Sequence, residues 1–269
     1  MLITSIGQGL LWAPLVIGVF LTFRILDIPD LTTEGSFPLG AAITISTMLN
    51  GQSAVTASLL GFLGGCAAGW VTGILDTKLK MPSLLAGILT MTGLYSINMH
   101  VMGKANIPLL DQKVLTNYLP AGWSLDVQTI IVGGGITAIV VLALIWLFQT
   151  RLGLSLMATG NNPAMSAANG IYTDRMVIIG YMLSNGLIAL SGALIAQSNG
   201  YADIGMGIGT IVIGLASVLV GEIYLYGRQT WIRLTGMVAG AITYRYLLTH
   251  ALGSGFPVND LIISYDPIL

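Results

Sequence analysis

The sequence predicts an all-α integral membrane protein that crosses the bilayer several times. Of the 269 residues, 55% are hydrophobic and only 8% are charged, whereas soluble domains carry about 25% charged residues. Four runs also lack charge over membrane-spanning lengths, namely residues 35–75, 127–150, 176–202 and 204–221. Because a helix needs about 20 apolar residues to cross the hydrocarbon core, the chain is expected to fold as a bundle of transmembrane helices.

About eight hydrophobic segments are expected to form helices, because hydrocarbon accepts only helices or closed barrels and runs of this length do not alternate like barrel strands. The second, fourth and seventh segments are short or interrupted by glycine, so some of them are expected to be broken or re-entrant. Residues 1–253 are interpreted as one transmembrane domain that begins with a retained first span, and residues 254–269 as a C-terminal tail. The eight segments are residues 6–23, 37–49, 54–75, 81–97, 127–148, 176–196, 205–221 and 231–249.

Basic residues predict which helix ends face the cytoplasm. Of the ten lysines and arginines, most fall in three short connections, and short cytoplasmic loops are enriched in such residues. These connections are therefore placed in the cytoplasm, and residues 98–126 are placed outside. The N-terminus lies outside if segment 37–49 crosses fully, and inside if that segment is re-entrant. The basic residues of the three connections are Lys78, Lys80, Arg151, Arg175, Arg228 and Arg233.

Composition and motifs exclude several classes of function. A net charge of −1 gives no electrostatic footprint for nucleic acid. One cysteine and two separated histidines leave no cluster that could hold a metal. Gly103-Lys104 lacks the flanking residues of a phosphate-binding loop, so no cofactor is predicted for this chain. An enzyme would need a nucleophile or a metal cluster, and a secondary transporter would need acids within the spans; the long charge-free runs contain neither.

Four glycines recur at every fourth position of the third segment, within GFLGGCAAGWVTG. They form a flat stripe along one helix face, and such stripes let helix backbones approach closely in lipid. Tight packing inside the chain is one interpretation of the stripe, and a dimerisation face is the other. The four residues are Gly61, Gly65, Gly69 and Gly73.

A weakly polar segment, RLGLSLMATGNNPAMSAANGIYTDR (residues 151–175), separates two of the most hydrophobic runs. Its arginines place it in the cytoplasm. Residues 156–170 are expected to form a short helix broken near Asn161, Asn162 and Pro163, because proline is tolerated in a first helical turn, and Gly170 is a natural helix stop. The segment is either a solvated surface loop or a docking site for another protein, and its low charge favours docking.

The stretches RLGLSLMATGNNPAMSAANGI and GYADIGMGIGTIVIGLASVLVGE resemble the permease subunits of ATP-binding-cassette importers of the branched-chain amino acid and ribose type. In that family, a cytoplasmic loop with similarly spaced glycine, alanine and asparagine forms the helix that docks on the ATPase. The upstream ILDIPDLTTEGSFPLGAA resembles the family's acidic motif before a glycine-rich helix. The likeness covers most of residues 1–250 and points to the tryptophan/tyrosine type. Such permeases usually finish with a further hydrophobic helix, which LGSGFPVNDLIISYDPIL does not provide.

The resemblance implies the translocation subunit of an importer in the cytoplasmic membrane of a bacterium. It implies a homodimer that binds two ATPase subunits, which bind the ATP, and an extracytoplasmic substrate-binding protein that delivers an aromatic or branched-chain amino acid. A sugar or nucleoside is the alternative cargo. The residues assigned to ATPase coupling are Gly160, Asn161, Asn162, Pro163, Ala164, Ala167, Ala168 and Gly170.

Two interrupted stretches are candidates for the substrate pathway, because transporters often hold cargo where helices break near the bilayer midplane. In the first, hydroxyl groups and free backbone N–H groups at a helix start could receive a carboxylate. The acids Asp30 and Glu34 could attract an amine or cap the helix. Asn98 and Asn185 are further polar candidates that could instead bind a neighbouring helix. The assigned pathway residues are Asp30, Thr32, Thr33, Glu34, Ser36, Gly205 and Gly207.

Overall fold

The structure, a computed structural model, describes residues 2–109, 112–120, 122–225 and 229–253. Within these residues the chain forms ten α-helices, eight of them long, arranged as a bundle. Arg228 and the predicted C-terminal tail lie outside the described residues. The helices are α1 (Leu2–Phe20), α2 (Thr33–Leu49), α3 (Ala54–Thr77), α4 (Ser83–Met102), α5 (Leu125–Gln149), α6 (Arg151–Asn161), α7 (Pro163–Ala168), α8 (Thr173–Asn199), α9 (Thr210–Leu225) and α10 (Thr230–Gly253).

Short elements join the helices at the two ends of the bundle. Two three-residue strands pair antiparallel, with Ile107 opposite Ala202. This pairing ties the connection between α4 and α5 to the connection between α8 and α9. The short elements are the π-helical turn Leu21–Ile25, the strands β1 (Asn106–Pro108) and β2 (Tyr201–Asp203), and the 3-10 turns Leu115–Tyr118 and Ile204–Gly207.

The all-α membrane fold predicted from composition is confirmed. Each of the eight predicted segments coincides with one long helix, and α6 and α7 lie within the weakly polar segment. Among the described residues, six helical stretches are long and apolar enough to cross a membrane, so the expected count of eight is approximate. The six are Leu2–Ile25, Ala54–Thr77, Ser83–Met102, Leu125–Gln149, Thr173–Asn199 and Ile204–Tyr224.

The seventh helix starts later than its sequence predicts. Segment 205–221 predicts a helix from Gly205, but α9 begins at Thr210. The reason is the backbone of Gly209, whose φ of +78° is favourable only for glycine and interrupts the chain after the Ile204–Gly207 turn. The seventh segment is therefore broken, as its glycine content predicted.

The second helix starts earlier than predicted. Segment 37–49 begins with the apolar run at Phe37, but α2 already begins at Thr33. The side chain of Asp30 accepts a hydrogen bond from the Thr32 N–H at 2.8 Å and so organises the turn before the apolar run. The polar stretch before Phe37 thus forms the first turn of α2 instead of an irregular break.

The two ends of the bundle differ in charge. At the basic face, which carries Arg24, Lys80 and Arg233, Glu222 forms ion pairs with both arginines. At the opposite face, Thr4 near the start of α1 donates a hydrogen bond to Asp126 at the start of α5 at 3.2 Å. The positive-inside rule predicts that the basic face is cytoplasmic, and α1 would then begin outside the cell.

The path of α2 agrees with this orientation. The residues before α2 include Leu26 and Ile28, which line a cleft at the basic face. The far end of α2 reaches the opposite face, where Met48 packs with Leu109 and Val114 of the connection between α4 and α5. The chain from residue 26 to residue 49 therefore runs from one face to the other, which supports the outside N-terminus among the two alternatives.

Helices α1 and α8 occupy the centre of the bundle. In the most apolar 18-residue stretches of α1 and α8, 78% and 72% of the residues are buried, compared with 28% in the corresponding stretches of α4 and α5. The glycine stripe of α3 allows this helix to pack closely against α8 at the centre of the bundle. A Cβ atom on Gly65 would meet the Asn185 carbonyl oxygen of α8, and one on Gly69 would meet the Tyr181 carbonyl oxygen. The stripe of Gly61, Gly65, Gly69 and Gly73 thus faces α2 and α8 of the same chain.

Candidate functional site

A closed hydrogen-bonded network, the Asp30 network, lies where the chain enters α2. It joins Asp30, Thr32, Ser36 and Asn185, all of them fully buried. The two carboxylate oxygens of Asp30 accept hydrogen bonds from the Thr32 N–H at 2.8 Å and from the Asn185 Nδ2 at 2.7 Å. Ser36 Oγ donates to Asn185 Oδ1 at 2.7 Å. Asp30 therefore holds the turn that leads into α2 and connects it to the middle of α8.

Hydroxyl groups near Asp30 are also bonded inside the protein. Thr32 Oγ1 lies 2.9 Å from Thr72 Oγ1 of α3, and Thr33 Oγ1 donates to the Asp30 carbonyl oxygen at 3.1 Å. The backbone N–H of Gly35 donates to the Thr32 carbonyl oxygen at 2.9 Å. These donors already have acceptors inside the protein. In this conformation they are therefore not available to a carboxylate group of the cargo, which was expected from the sequence to bind at the start of α2.

A cavity of about 290 Å³ lies beside this network, on the outer half of the bundle. We refer to it as the outer cavity. It is bounded by the first turns of α2, by one face of α4 and by the irregular segment before α9. Its lining combines four side chains that carry polar groups with several apolar ones. The lining residues are Glu34, Gly35, Pro38, Met91, Thr92, Tyr95, Asn98, Ile204, Gly205 and Ile208.

Two polar groups at the wall of the outer cavity have unused acceptor capacity. Asn98 is buried, and its Nδ2 donates to the Gly35 carbonyl oxygen at 3.2 Å, whereas its Oδ1 has no hydrogen-bond partner. Glu34 Oε1 accepts the Gly209 N–H at 3.0 Å. Neither ion pair found among the described residues involves Glu34. The lining residues therefore include a partly exposed carboxylate and a buried amide oxygen without a hydrogen-bond partner.

The two assigned glycines before α9 have different surroundings. Gly205 lines the outer cavity, and its N–H donates to the Asp203 carboxylate at 2.7 Å. A Cβ atom on Gly207 would collide with the Glu34 carbonyl oxygen and with Pro38 Cδ. Gly207 thus lets this segment approach α2 closely enough to hold Glu34 at the cavity wall.

At the basic face, α6 is anchored to the transmembrane helices by small residues. A Cβ atom on Gly153 would meet the backbone of Phe148 at the end of α5, and one on Gly160 would meet the Ile25 carbonyl oxygen. Leu156 and Thr159 are buried on the same side of α6. Glycine at these two positions lets α6 lie directly against the cytoplasmic ends of α1 and α5.

The break predicted in this segment lies at Asn162. Its side-chain oxygen accepts the Met165 N–H at 2.9 Å and caps α7, which begins at Pro163. α7 ends before Gly170, whose φ is +82°. Apart from the half-buried Gly160, the residues assigned to coupling are exposed, namely Asn161, Asn162, Pro163, Ala164, Ala167, Ala168 and Gly170.

A wide cleft of about 780 Å³ runs beside these residues at the basic face. Its walls carry both signs of charge, with Asp27, Asp76 and Asp174 against Lys80. Within the part of the chain that the structure describes, no group of three or more histidine, cysteine or acidic residues could hold a metal ion. The cleft and the exposed surface of α7 lie next to each other at the basic face, and we refer to them together as the coupling surface, after the role that the resemblance implies.

Sequence patterns did not identify all of the residues around these sites. Arg24, Glu222 and Arg233 join the ends of α1, α9 and α10, but they lie far apart in the sequence. Tyr95 and Ile208 line the outer cavity, although each looks like one more apolar residue of a membrane segment. For Asn98, the available signal was its polar side chain among mostly apolar neighbours in the sequence.

Comparison with known proteins agrees with the membrane-spanning fold. The family model described as the permease component of branched-chain amino acid transport systems matches residues 1–265. A tyrosine transport system permease protein of Clostridioides difficile is 40% identical over 261 residues, which cover 97% of this chain and 86% of that protein. An uncharacterised protein of Rickettsia prowazekii is 34% identical over 268 residues, covering 97% and 93% of the two chains.

A more distant relative is the autoinducer 2 import system permease protein of Yersinia pestis, which is 29% identical over 225 residues, covering 80% of this chain and 59% of that protein. No solved structure shows a significant match. The resemblance noted in the sequence is confirmed by the family match. The chain is a multi-pass membrane protein that belongs to the family of permease components of branched-chain amino acid transport systems, which is a family of transport permeases and not of enzymes.

Proposed function

We propose that this chain is the translocation subunit of an ATP-driven amino acid importer in the bacterial cytoplasmic membrane. Two copies form the pathway, a separate ATPase binds to the cytoplasmic side, and a separate binding protein delivers the cargo to the outer side. The observation that carries the proposal is the coupling surface. Its α7 part is exposed and mostly small in its side chains, and α6 fixes it to the end of α5 and to the π-helical turn that follows α1.

The chemistry of the coupling surface suits a protein partner. The exposed residues of α7 and its flanks are mostly alanine, asparagine, proline and glycine, together with the apolar Met165. Burying uncharged side chains of this size costs little desolvation, and few side-chain rotamers are lost on contact. Since α6 contacts the carbonyl of Ile25 through Gly160, a force applied to α7 by the ATPase would be transmitted directly to the end of α1.

An amino acid is the cargo that the comparisons favour. The relative named for tyrosine transport is 40% identical and is matched over most of its length, whereas the relative named for autoinducer 2 import is 29% identical and is matched over 59% of its length. Aromatic or branched-chain amino acids also fit the mixed polar and apolar lining of the outer cavity. A cargo other than an amino acid, such as a sugar or nucleoside, is the second candidate, because the more distant relative is named for autoinducer 2 import.

A homodimer is part of this proposal, and the exposed sides of the bundle leave room for a second copy. In the most apolar 18-residue stretches of α4 and α5, only 28% of the residues are buried within the chain. An importer needs a pathway enclosed on all sides, and one chain of this size does not enclose one. A second copy supplies the missing wall, and closed symmetry with two equal subunits is the commonest arrangement of this kind.

Attachment of the ATPase can be tested with one pair of substitutions. Ala164→Arg together with Ala168→Arg places two long cations on the exposed side of α7 without touching the membrane helices. The tagged permease, expressed with its genomic ATPase partner, is expected to lose co-purification of the ATPase while it stays monodisperse in detergent. The matched control is Ala105→Arg, an exposed alanine at the opposite face, which is expected to leave the complex intact. Retention of the ATPase by the doubly substituted chain would place coupling elsewhere.

The energy source needs its own measurement. Proteoliposomes that contain the complete complex and the binding protein should accumulate labelled tyrosine, leucine or isoleucine only with ATP on the ATPase side. A secondary transporter, the competing class, would instead accumulate cargo in response to a proton or sodium gradient without ATP. Gradient-driven uptake by the permease alone would contradict the proposal.

A further inference from the structure

We propose that the outer cavity binds the ammonium group of the transported amino acid, with Glu34 and Asn98 as its two acceptors. This inference rests on the proposed amino acid import and assigns a binding site to it. The site differs from the Asp30 network in one respect. Its acceptors are not fully used by the protein itself, so they are available to a ligand that brings hydrogen-bond donors.

Asn98 provides the first independent observation. Its side chain is 1% exposed and lines the cavity wall. The Gly35 carbonyl oxygen can only accept a hydrogen bond, so the side-chain atom of Asn98 that faces it must be the donor Nδ2 and not Oδ1. The remaining atom, Oδ1, is then a buried acceptor without a partner. A buried unpaired acceptor is costly unless something binds it, and a donor in the cavity would satisfy it.

Glu34 provides the charge. One carboxylate oxygen is held by the Gly209 N–H, which fixes the side chain at the cavity wall. Glu34 is partly exposed and is one of the residues that line the cavity. A fixed carboxylate in surroundings with few other charges favours a cation over a neutral donor. An ammonium group carries three donors and one positive charge, so it can contact Glu34 and Asn98 at the same time.

The rest of the cavity suits the remainder of an amino acid. Its volume of about 290 Å³ is near the lower end of the range of about 300–1,000 Å³ for small-molecule sites. Pro38, Met91, Ile204 and Ile208 provide apolar walls, and the ring of Tyr95 lies among them. A single amino acid with an apolar or aromatic side chain can place its ammonium group at the polar wall and its side chain against these residues.

The site can be tested without relying on transport. Ile208 lines the cavity and is 82% exposed, so Ile208→Cys combined with Cys66→Ala gives one reactive thiol at the cavity mouth. The matched control is Ile223→Cys in the same background, because Ile223 is 81% exposed on the opposite end of α9. Alkylation of the full-length permease in nanodiscs is measured with tyrosine, with tyramine, and with 3-(4-hydroxyphenyl)propionate, which lacks the amine.

Tyrosine and tyramine are expected to slow alkylation of the Ile208→Cys protein, whereas the propionate has no effect. At about ten times its dissociation constant a ligand leaves about one site in ten free, so the expected slowing is about tenfold. The Ile223→Cys control should react at the same rate with and without ligand. Adding Glu34→Gln keeps an acceptor oxygen for Gly209 but removes the charge, and it should raise the half-protecting tyrosine concentration about tenfold or more.

The outcomes separate this inference from the proposed function. Equal protection by all three compounds, or protection that Glu34→Gln leaves unchanged, would overturn the ammonium assignment. Absence of protection by tyrosine and tyramine would overturn the cavity as the binding site. In either case ATP-dependent uptake by the complete complex would still support amino acid import, and only failure of that uptake would overturn the proposed function.

Discussion

Two polar regions at the start of α2 lie one helical turn apart and differ in how completely they are bonded. In the Asp30 network, both carboxylate oxygens of Asp30 have donors from within the protein. In the outer cavity, Glu34 has one backbone donor and Asn98 has an unpaired oxygen. The difference teaches that a polar residue in a membrane segment is structural when its bonds are complete and is available for binding when they are not.

The physical basis of this comparison is the cost of unpaired polar groups in a medium without water. A satisfied network in low dielectric holds helices in one arrangement, and Asn185 places such a network between α2 and α8. An incomplete network keeps its acceptors ready for a ligand. Changes in the Asp30 network should therefore alter stability, and changes in the outer cavity should alter transport.

The largest expected effect concerns the helix contact that encloses the Asp30 network. Gly65→Leu places a side chain where the Asn185 carbonyl oxygen already lies, so α3 and α8 have to separate along their length. We expect loss of monodisperse protein on size-exclusion chromatography in detergent. Gly93→Leu is the matched control, because a Cβ atom there meets nothing within 4 Å, and its yield should equal that of the wild type. A normal yield of the Gly65→Leu protein would show that this close contact is dispensable.

The next effect concerns Asp30 itself. Asp30→Ala leaves the Thr32 N–H and the Asn185 amide without their acceptor inside the bundle. Hydrogen bonds to charged groups contribute about 1.5–3 kcal/mol each, so the free energy of unfolding should fall by about 3 kcal/mol or more. Thermal unfolding in detergent measures the loss as a lower midpoint temperature. An unchanged midpoint would mean that the network does not hold α2 against α8.

The smallest effect is expected at Thr32. Thr32→Val keeps the shape of the side chain and removes the hydroxyl that lies 2.9 Å from Thr72 Oγ1. The expected loss in the free energy of unfolding is about 1 kcal/mol. Uptake per folded complex should stay at the wild-type level, in contrast to the sequence-based assignment of Thr32 to the pathway. A strong loss of uptake with unchanged stability would return Thr32 to the substrate pathway.

Much of the fold could be predicted because the bilayer imposes it. Charge-free runs of about 20 residues can only be spanning helices, and the long helices appear where those runs lie. The break at Asn162 and the stop at Gly170 were predictable for a local reason, since capping and positive φ depend on single residues. The N-terminal orientation needed the structure, because it depends on which helix ends lie together.

The division between the two polar regions could not be read from the sequence. Asp30 and Glu34 are both acids at one helix start, and their roles differ because Asn185 reaches one and the segment before α9 reaches the other. The pairing of β1 with β2 was also missed, because strands of three residues show no periodicity. These features depend on tertiary contacts between residues that are far apart in the sequence, and local sequence patterns do not reveal such contacts.

The measurement that tests the central claim most directly is ATP-driven uptake of labelled tyrosine by the wild-type complex and by complexes that carry Glu34→Gln. Uptake is normalised to the amount of permease that co-purifies with the ATPase, and the unfolding midpoint is measured on the same samples. We predict that Glu34→Gln lowers uptake at limiting tyrosine about tenfold or more, because the lost charge weakens ammonium binding, with no change in assembly or midpoint. Uptake equal to that of the wild type would contradict the assignment of the outer cavity to the cargo.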